Sequence, residues 1–139
     1  MAYDDQNPFA KILRGELPCF KLWEDEHTLS FMDIMPQSDG HALIIPKEPA
    51  ETIMALSEAS AMACIRTTQR IARAVEKAMQ CAGIQVVQLN GPIAGQTVFH
   101  AHFHVIPRYV QSPLAMHAAQ MGDMQKIKGH AERIVAALS

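Results

Sequence analysis

Cysteine is scarce in this chain and badly placed for cross-linking. Cys19, Cys64 and Cys81 are its three cysteines, and none forms a Cys-x-x-Cys pair. An odd number without a secretory context argues for reduced thiols and a cytoplasmic home rather than a disulfide framework. A basic excess is missing too: 12 Lys and Arg stand against 14 Asp and Glu. That balance speaks against non-specific nucleic-acid binding, but leaves open a single small anionic ligand, which local groups decide. No stretch approaches the ~20 apolar residues of a membrane span. The opening Met1-Ala2-Tyr3-Asp4-Asp5 is acidic with no apolar run behind it, unlike a secretory signal. Internal repeats and low-complexity linkers are also lacking, so residues 1–139 read as one domain, with a core over 7–108 and a tail over 109–139.

What is present has ordinary globular patterning, with 49% apolar and 19% charged residues. Asn7-Pro8 reads as an N-cap followed by proline at the first helical position, and Phe9, Ile12 and Leu13 then share a face. Cys19–Glu24 and Thr28–Asp33 read as strands joined by a charged turn. His41–Ile45 is an apolar strand stopped by Pro46. Ser57–Gln80 carries the longest helical periodicity, with Gly83 ending that segment. Ile84–Leu89 and Phe99–Ile106 read as further strands, and a weaker helix spans about Met121 to Leu138. Short turns between strands predict an α+β fold with a mostly antiparallel sheet, because parallel crossovers need longer connections.

The run His100-Ala101-His102-Phe103-His104 is the unusual feature. If it is extended, the three imidazoles share one sheet face, and Ala101, Phe103 and Val105 face the core. Histidine is not a favoured strand residue and three in a row do not help build a core. A metal site is one reading, with His41 as a possible extra ligand from a neighbouring strand, although no Cys, Asp or Glu lies near the run. Covalent catalysis is the other. A neutral imidazole is a competent nucleophile near pH 7, given a fixed tautomer, donors for phosphate oxygens and an acid for the leaving group. The preceding loop Gly91-Pro92-Ile93-Ala94-Gly95-Gln96-Thr97 offers backbone N–H groups, an amide and a hydroxyl suited to phosphate.

The run His100-Ala101-His102-Phe103-His104-Val105-Ile106 resembles the signature of the histidine-triad (HIT) superfamily. Phe31–Gln37 with Gly40–Lys47, Ala94–Val98 and Pro8–Ile12 resemble further blocks of that family, in the same order. The likeness covers roughly residues 7 to 108. It implies a five-stranded antiparallel sheet with one long helix, one short helix and a C-terminal helix. It also implies a homodimer in which the sheet continues across a two-fold axis and helix 57–80 lies at the interface. The implied ligand is a purine nucleotide, such as an AMP or GMP conjugate, and no cofactor is implied. By the same resemblance His102 attacks the α-phosphorus, His100 orients it partly through its carbonyl, and His104, His41 and the Gln96 amide lie near the phosphate. Gly95 belongs to the phosphate loop, Thr97 and Asn90 support it, Asp33 receives the ribose hydroxyls, and Phe9, Ile12 and Ile34 form the base pocket.

Some relatives hold a structural zinc through a Cys-x-x-Cys and histidines. Asn7, Ala10 and Pro49 stand at three of those positions and cannot ligate zinc, so no metal is expected there. The opening helix and the Asp33 block resemble the nucleoside phosphoramidase branch. The loop Gly91–Thr97 with Ile106-Pro107-Arg108 also resembles the dinucleoside polyphosphate hydrolases. A nucleotide- or partner-binding module with little turnover is the remaining alternative. His27, His117 and His130 read as surface residues, and the tail as a plain surface helix.

Overall fold

In the computed structural model, which describes residues 2–111 and 120–138, the chain runs α1 (Pro8–Leu13), β1 (Lys21–Glu24), β2 (Thr28–Met32), β3 (Ala42–Pro46), α2 (Glu58–Met79), β4 (Gly83–Gln88), β5 (Phe103–Arg108) and α3 (Met124–Ala137). His117 lies outside the described residues. The expected caps form: the Asn7 side chain accepts from the Ala10 N–H at 2.9 Å with Pro8 at the first helical position, and Ser57 accepts from the Ser60 N–H. The end of α2 differs from expectation. Gln80, in the left-handed region at φ 51°, terminates the helix, and Gly83 opens β4 instead. Among the described residues no helix is long and apolar enough to cross a membrane.

The five strands form one antiparallel sheet in the order β1-β2-β3-β5-β4. β2 and β3 are buried along their whole length. Alternation sends Ala42, Ile44, Phe103 and Val105 to the face covered by α2 and α3, where they meet Cys64, Ile71, Val75 and Ile134. Leu43 and Ile45 face the other way and pack with Phe9 of α1, Leu29 and Phe31. This second face, covered only by a short helix and loops, is where the histidine side chains lie.

Two expectations need correction. The tail is not a plain surface helix, because Ile127, Ala131 and Ile134 of α3 belong to the main core. The strand expected over Phe99–Ile106 begins only at Phe103. Pro46 is the reason. The β3–β5 register pairs Ile44 with Phe103, so two residues further on Pro46 opposes Ala101. Proline has no N–H to continue the ladder. The Ala101 N–H instead donates to the Ala50 carbonyl at 2.8 Å, bending the chain away from the sheet just before His102.

Candidate active site

His41 and His104 meet on the second face of the sheet, with His102 beside them on the segment entering β5. The chain reaches His41 through Gly40, whose φ of 93° and close approach to Met79 suit glycine alone: a Cβ there would stand 2.8 Å from the Met79 side chain. His104 is cross-strand partner to Leu43 and Val87. The ring of His104 lies 4.9 Å from that of His102 and 5.2 Å from that of His41. Phe9 packs edge-on against His102, 4.9 Å between centroids, and edge-on against Phe31.

The hydrogen bonds determine the tautomer of every ring, because backbone groups have only one role each. A carbonyl only accepts. The contact of His102 Nδ1 with the His100 carbonyl at 2.7 Å therefore puts the His102 proton on Nδ1 and the lone pair on Nε2. The contact of His100 Nε2 with the Pro46 carbonyl at 2.8 Å puts that proton on Nε2. An amide N–H only donates. Gln37 N–H reaches His41 Nδ1 at 3.0 Å, so His41 carries its proton on Nε2. That Nε2–H donates to His104 Nδ1 at 2.9 Å, which leaves the His104 proton on Nε2. Burial keeps all four rings neutral, with His41 pushed down to about 3, His104 to about 4, and His100 and His102 also lowered.

His102 is 4% exposed, yet its Nε2 remains reachable. That atom has no hydrogen-bond partner, and among the described residues the one side-chain polar atom both sealed from solvent and unpartnered is Thr68 Oγ1. The site thus presents a solvent-facing imidazole lone pair on His102 beside an N–H donor on His104. Such a pair can attack an electrophilic centre and protonate a neighbouring oxygen or nitrogen.

The other expected residues divide. Asp33 directly follows β2; its Oδ1 accepts from the Met35 N–H at 2.8 Å, and its Oδ2 lies 3.4 Å from His41 Nε2. Burial raises this carboxyl to about 6. With His41 neutral, the contact joins a carboxylate to an imidazole N–H and is not an ion pair. Asp33, His41 and His104 bring three potential ligand atoms within 4.8 Å of one another. The Gln37 N–H, however, occupies the His41 lone pair and leaves Nε2 a donor, so the trio is a hydrogen-bond chain and not a preformed ligand set. Ile12 packs with Phe9, Leu29 and Phe31, while Ile34 is exposed on the following loop.

The loop before the triad differs most from expectation. Gln96 is buried, and its amide is occupied within the protein: Oε1 accepts from the Gly91 N–H, and Nε2 donates to the Glu51 and Val98 carbonyls. It shapes the loop instead of extending a free amide. Asn90 likewise accepts from the Ile53 N–H at 2.7 Å and bonds Gln88. The N–H groups of Ala94, Gly95 and Gln96 close turns onto Gly91 and Pro92 carbonyls. Among the described residues the Thr97 N–H has no acceptor, and its side chain is exposed. Sequence reasoning missed Gln37 and Pro46, whose backbone groups orient His41 and His100, and Tyr3, whose hydroxyl lies 2.6 Å from His100 Nδ1.

Comparison with known proteins matches residues 14–111 to the HIT domain. An adenosine 5'-monophosphoramidase of Schizosaccharomyces pombe is 42% identical over 100 residues, covering 72% of this chain and 72% of that protein. An adenylylsulfatase of Arabidopsis thaliana is 41% identical over 100 residues, 72% of this chain and 51% of the plant protein. A crystal structure of a Hit-like protein involved in cell-cycle regulation from Bartonella henselae, with an unknown ligand, superposes with a TM-score of 0.92 at 40% identity, covering 99% of this chain and 100% of that one.

Proposed function

The chain belongs to the HIT family, and on that premise we propose that it hydrolyses purine nucleotide conjugates at the α-phosphate through a nucleotidyl intermediate on His102. The observation that carries the reading is the His102 Nδ1–H bond to the His100 carbonyl, which leaves a reachable lone pair on Nε2. In the first step Nε2 forms a bond to phosphorus as the bond to the leaving group breaks, and the departing amine or oxygen takes a proton. The Nε2–H of His104, on a ring 4.9 Å away, is the donor suited to that transfer. Giving up that proton leaves negative charge developing on the His104 ring, which the His41 Nε2–H bond to His104 Nδ1 stabilises, and the attacking water of the second step returns a proton to His104. In the second step water attacks phosphorus, the N–P bond breaks, and a nucleoside monophosphate leaves with His102 regenerated.

The Thr97 N–H and hydroxyl are the loop donors available to phosphate, and Gln96, Gly95 and Asn90 hold the loop that presents them. Asp33 serves the ribose hydroxyls with the accepting capacity that Met35 and His41 leave to it. Phe9, Ile12 and Ile34 contribute the apolar wall for the base. A nucleoside phosphoramidate is the preferred substrate class, in keeping with the yeast relative's name. The plant relative's name points to an adenylyl–oxygen bond instead.

The functional unit is a homodimer. β4 is an edge strand with only one strand neighbour, β5, and with Val86 53% exposed, and Met62 and Ile65 on α2 are 65% and 55% exposed around a hollow of about 450 Å³.

The deciding experiment mixes wild type and His102→Ala with a labelled adenylate donor, quenches on the millisecond scale, and weighs the intact protein. An adenylate adduct on wild type alone is expected, with turnover in the variant reduced at least ~10³-fold. A His102→Ala protein turning over at the wild-type rate would sink the proposal. Nucleotide binding without turnover in wild type would make this a binding module.

A further inference from the structure

His100 is completely buried, and the atoms that satisfy its ring come from distant parts of the chain. Its Nε2–H is held by the Pro46 carbonyl, so Nδ1 is left with a lone pair inside the protein. The Tyr3 hydroxyl, 97 residues away in sequence, lies 2.6 Å from that lone pair, with the two rings nearly perpendicular at 5.7 Å. The direction of this bond is determined. Asn7 Nδ2 donates to the Tyr3 oxygen at 3.0 Å, which leaves the hydroxyl hydrogen for His100. Asn7 is itself clamped, accepting from the Ala10 N–H and donating to the Asp4 carbonyl at 2.8 Å. A chain of donors thus runs from the cap of α1 through Tyr3 to His100, whose carbonyl receives the His102 Nδ1–H.

We propose that Tyr3 is a positioning residue of the histidine centre: its hydroxyl holds His100 in the neutral Nε2–H form and thereby fixes the carbonyl that orients His102. The proposal rests on His102 being the nucleophile, and it adds a residue lying well before the start of the HIT-domain match at position 14. Without the hydroxyl, Nδ1 becomes a buried acceptor without a donor, a state proteins avoid. The ring then relieves it by taking up a proton or by rotating. Either change disturbs the backbone at residue 100, and the His102 tautomer depends on that backbone.

Tyr3→Phe keeps the ring packing and removes only the hydroxyl. In protein labelled with ¹⁵N-histidine, the His100 ring of wild type should show the Nε2–H tautomer and stay unprotonated between pH 7 and pH 5. In Tyr3→Phe it should protonate within that range or show mixed tautomers. The rate of adenylate transfer to the enzyme should fall by about tenfold, equivalent to roughly 1.4 kcal/mol, with KM unchanged.

Unaltered His100 resonances in Tyr3→Phe would overturn the proposal. So would altered resonances with an unaltered transfer rate, since His100 would then be uncoupled from His102. A rise in KM with kcat intact would overturn it too, making Tyr3 a ligand contact. If Tyr3→Phe does not fold, 3-fluorotyrosine at position 3 replaces it. Its more acidic hydroxyl should move the His100 Nδ1 resonance, and no movement overturns the assignment. Failure of the nucleotidyl reading appears separately, as an active His102→Ala enzyme, and leaves the resonance test intact.

Discussion

Acidification from pH 7 to pH 5 should cost this protein about 2 kcal/mol of folding stability, and the loss should originate in the histidine centre. His41 and His104, ordinarily near 6.5, are pushed down to about 3 and about 4 by burial. The unfolded chain protonates both as the pH falls through 6.5, and the folded protein does not. The unfolded state therefore binds more protons, and stability declines with pH down to the folded values. At roughly 1.4 kcal/mol per pH unit, each ring contributes a loss of about 2 kcal/mol by pH 5. Asp33 works in the opposite sense. Its carboxyl is raised from 3.8 to about 6, so the folded protein takes up a proton below pH 6 that the unfolded chain does not yet bind. That returns about 1.4 kcal/mol by pH 5, leaving a net loss of about 2 kcal/mol. His100 and His102, also lowered by burial, push further in the direction of the loss. Urea unfolding at fixed protein concentration measures the effect, as a drop in midpoint of about 1 M. His41→Asn should remove about half of the histidine contribution to the pH dependence. A midpoint that is equal or higher at pH 5 would refute the buried, neutral assignment of these rings.

Two further perturbations probe the scaffold. Ile134→Ala removes a fully buried side chain of α3 and should destabilise the domain by roughly 2–5 kcal/mol, read by chemical unfolding; a change within ±0.5 kcal/mol would mean that α3 is not part of the cooperative core. Ile65→Glu, on the exposed apolar face of α2, should convert a dimer to a monomer in sedimentation without loss of fold, and a wild type that already sediments as a monomer would remove the proposed interface.

Local signals in the chain were legible to the extent that neighbours in sequence are neighbours in space. Asn7-Pro8 and Ser57 announced their helices because capping joins residues three apart. The alternation of Phe103, His104 and Val105 announced two faces because strand side chains alternate, and the core cluster contains Phe103 and Val105. The HIT signature made the family legible from residues 100–106 together with the blocks around them, and the match over 14–111 agrees. The late start of β5 was not legible, and the local pattern predicts a strand from Phe99. Pro46 had already been read as the end of β3, but its effect on the facing strand depends on a register that no local pattern contains.

The amino-acid order alone determined a mostly antiparallel α+β class, the presence of three histidines at alternate positions and the main helix boundaries, because each follows from interactions within a few residues, and the five-stranded sheet was implied by the family resemblance. Tertiary structure alone decided which nitrogen of His100 and of His104 carries a proton, whereas the carbonyl that orients His102 lies only two residues away. The groups that settle it are a Pro46 carbonyl 54 residues from His100, a His41 ring 63 residues from His104, and a Tyr3 hydroxyl at the far end of the chain. It likewise decided that Gln96 shapes its loop and that α3 completes the core. Hydrogen bonding is directional and short-ranged, so its partners exist only once the fold has brought distant segments within 3 Å of one another.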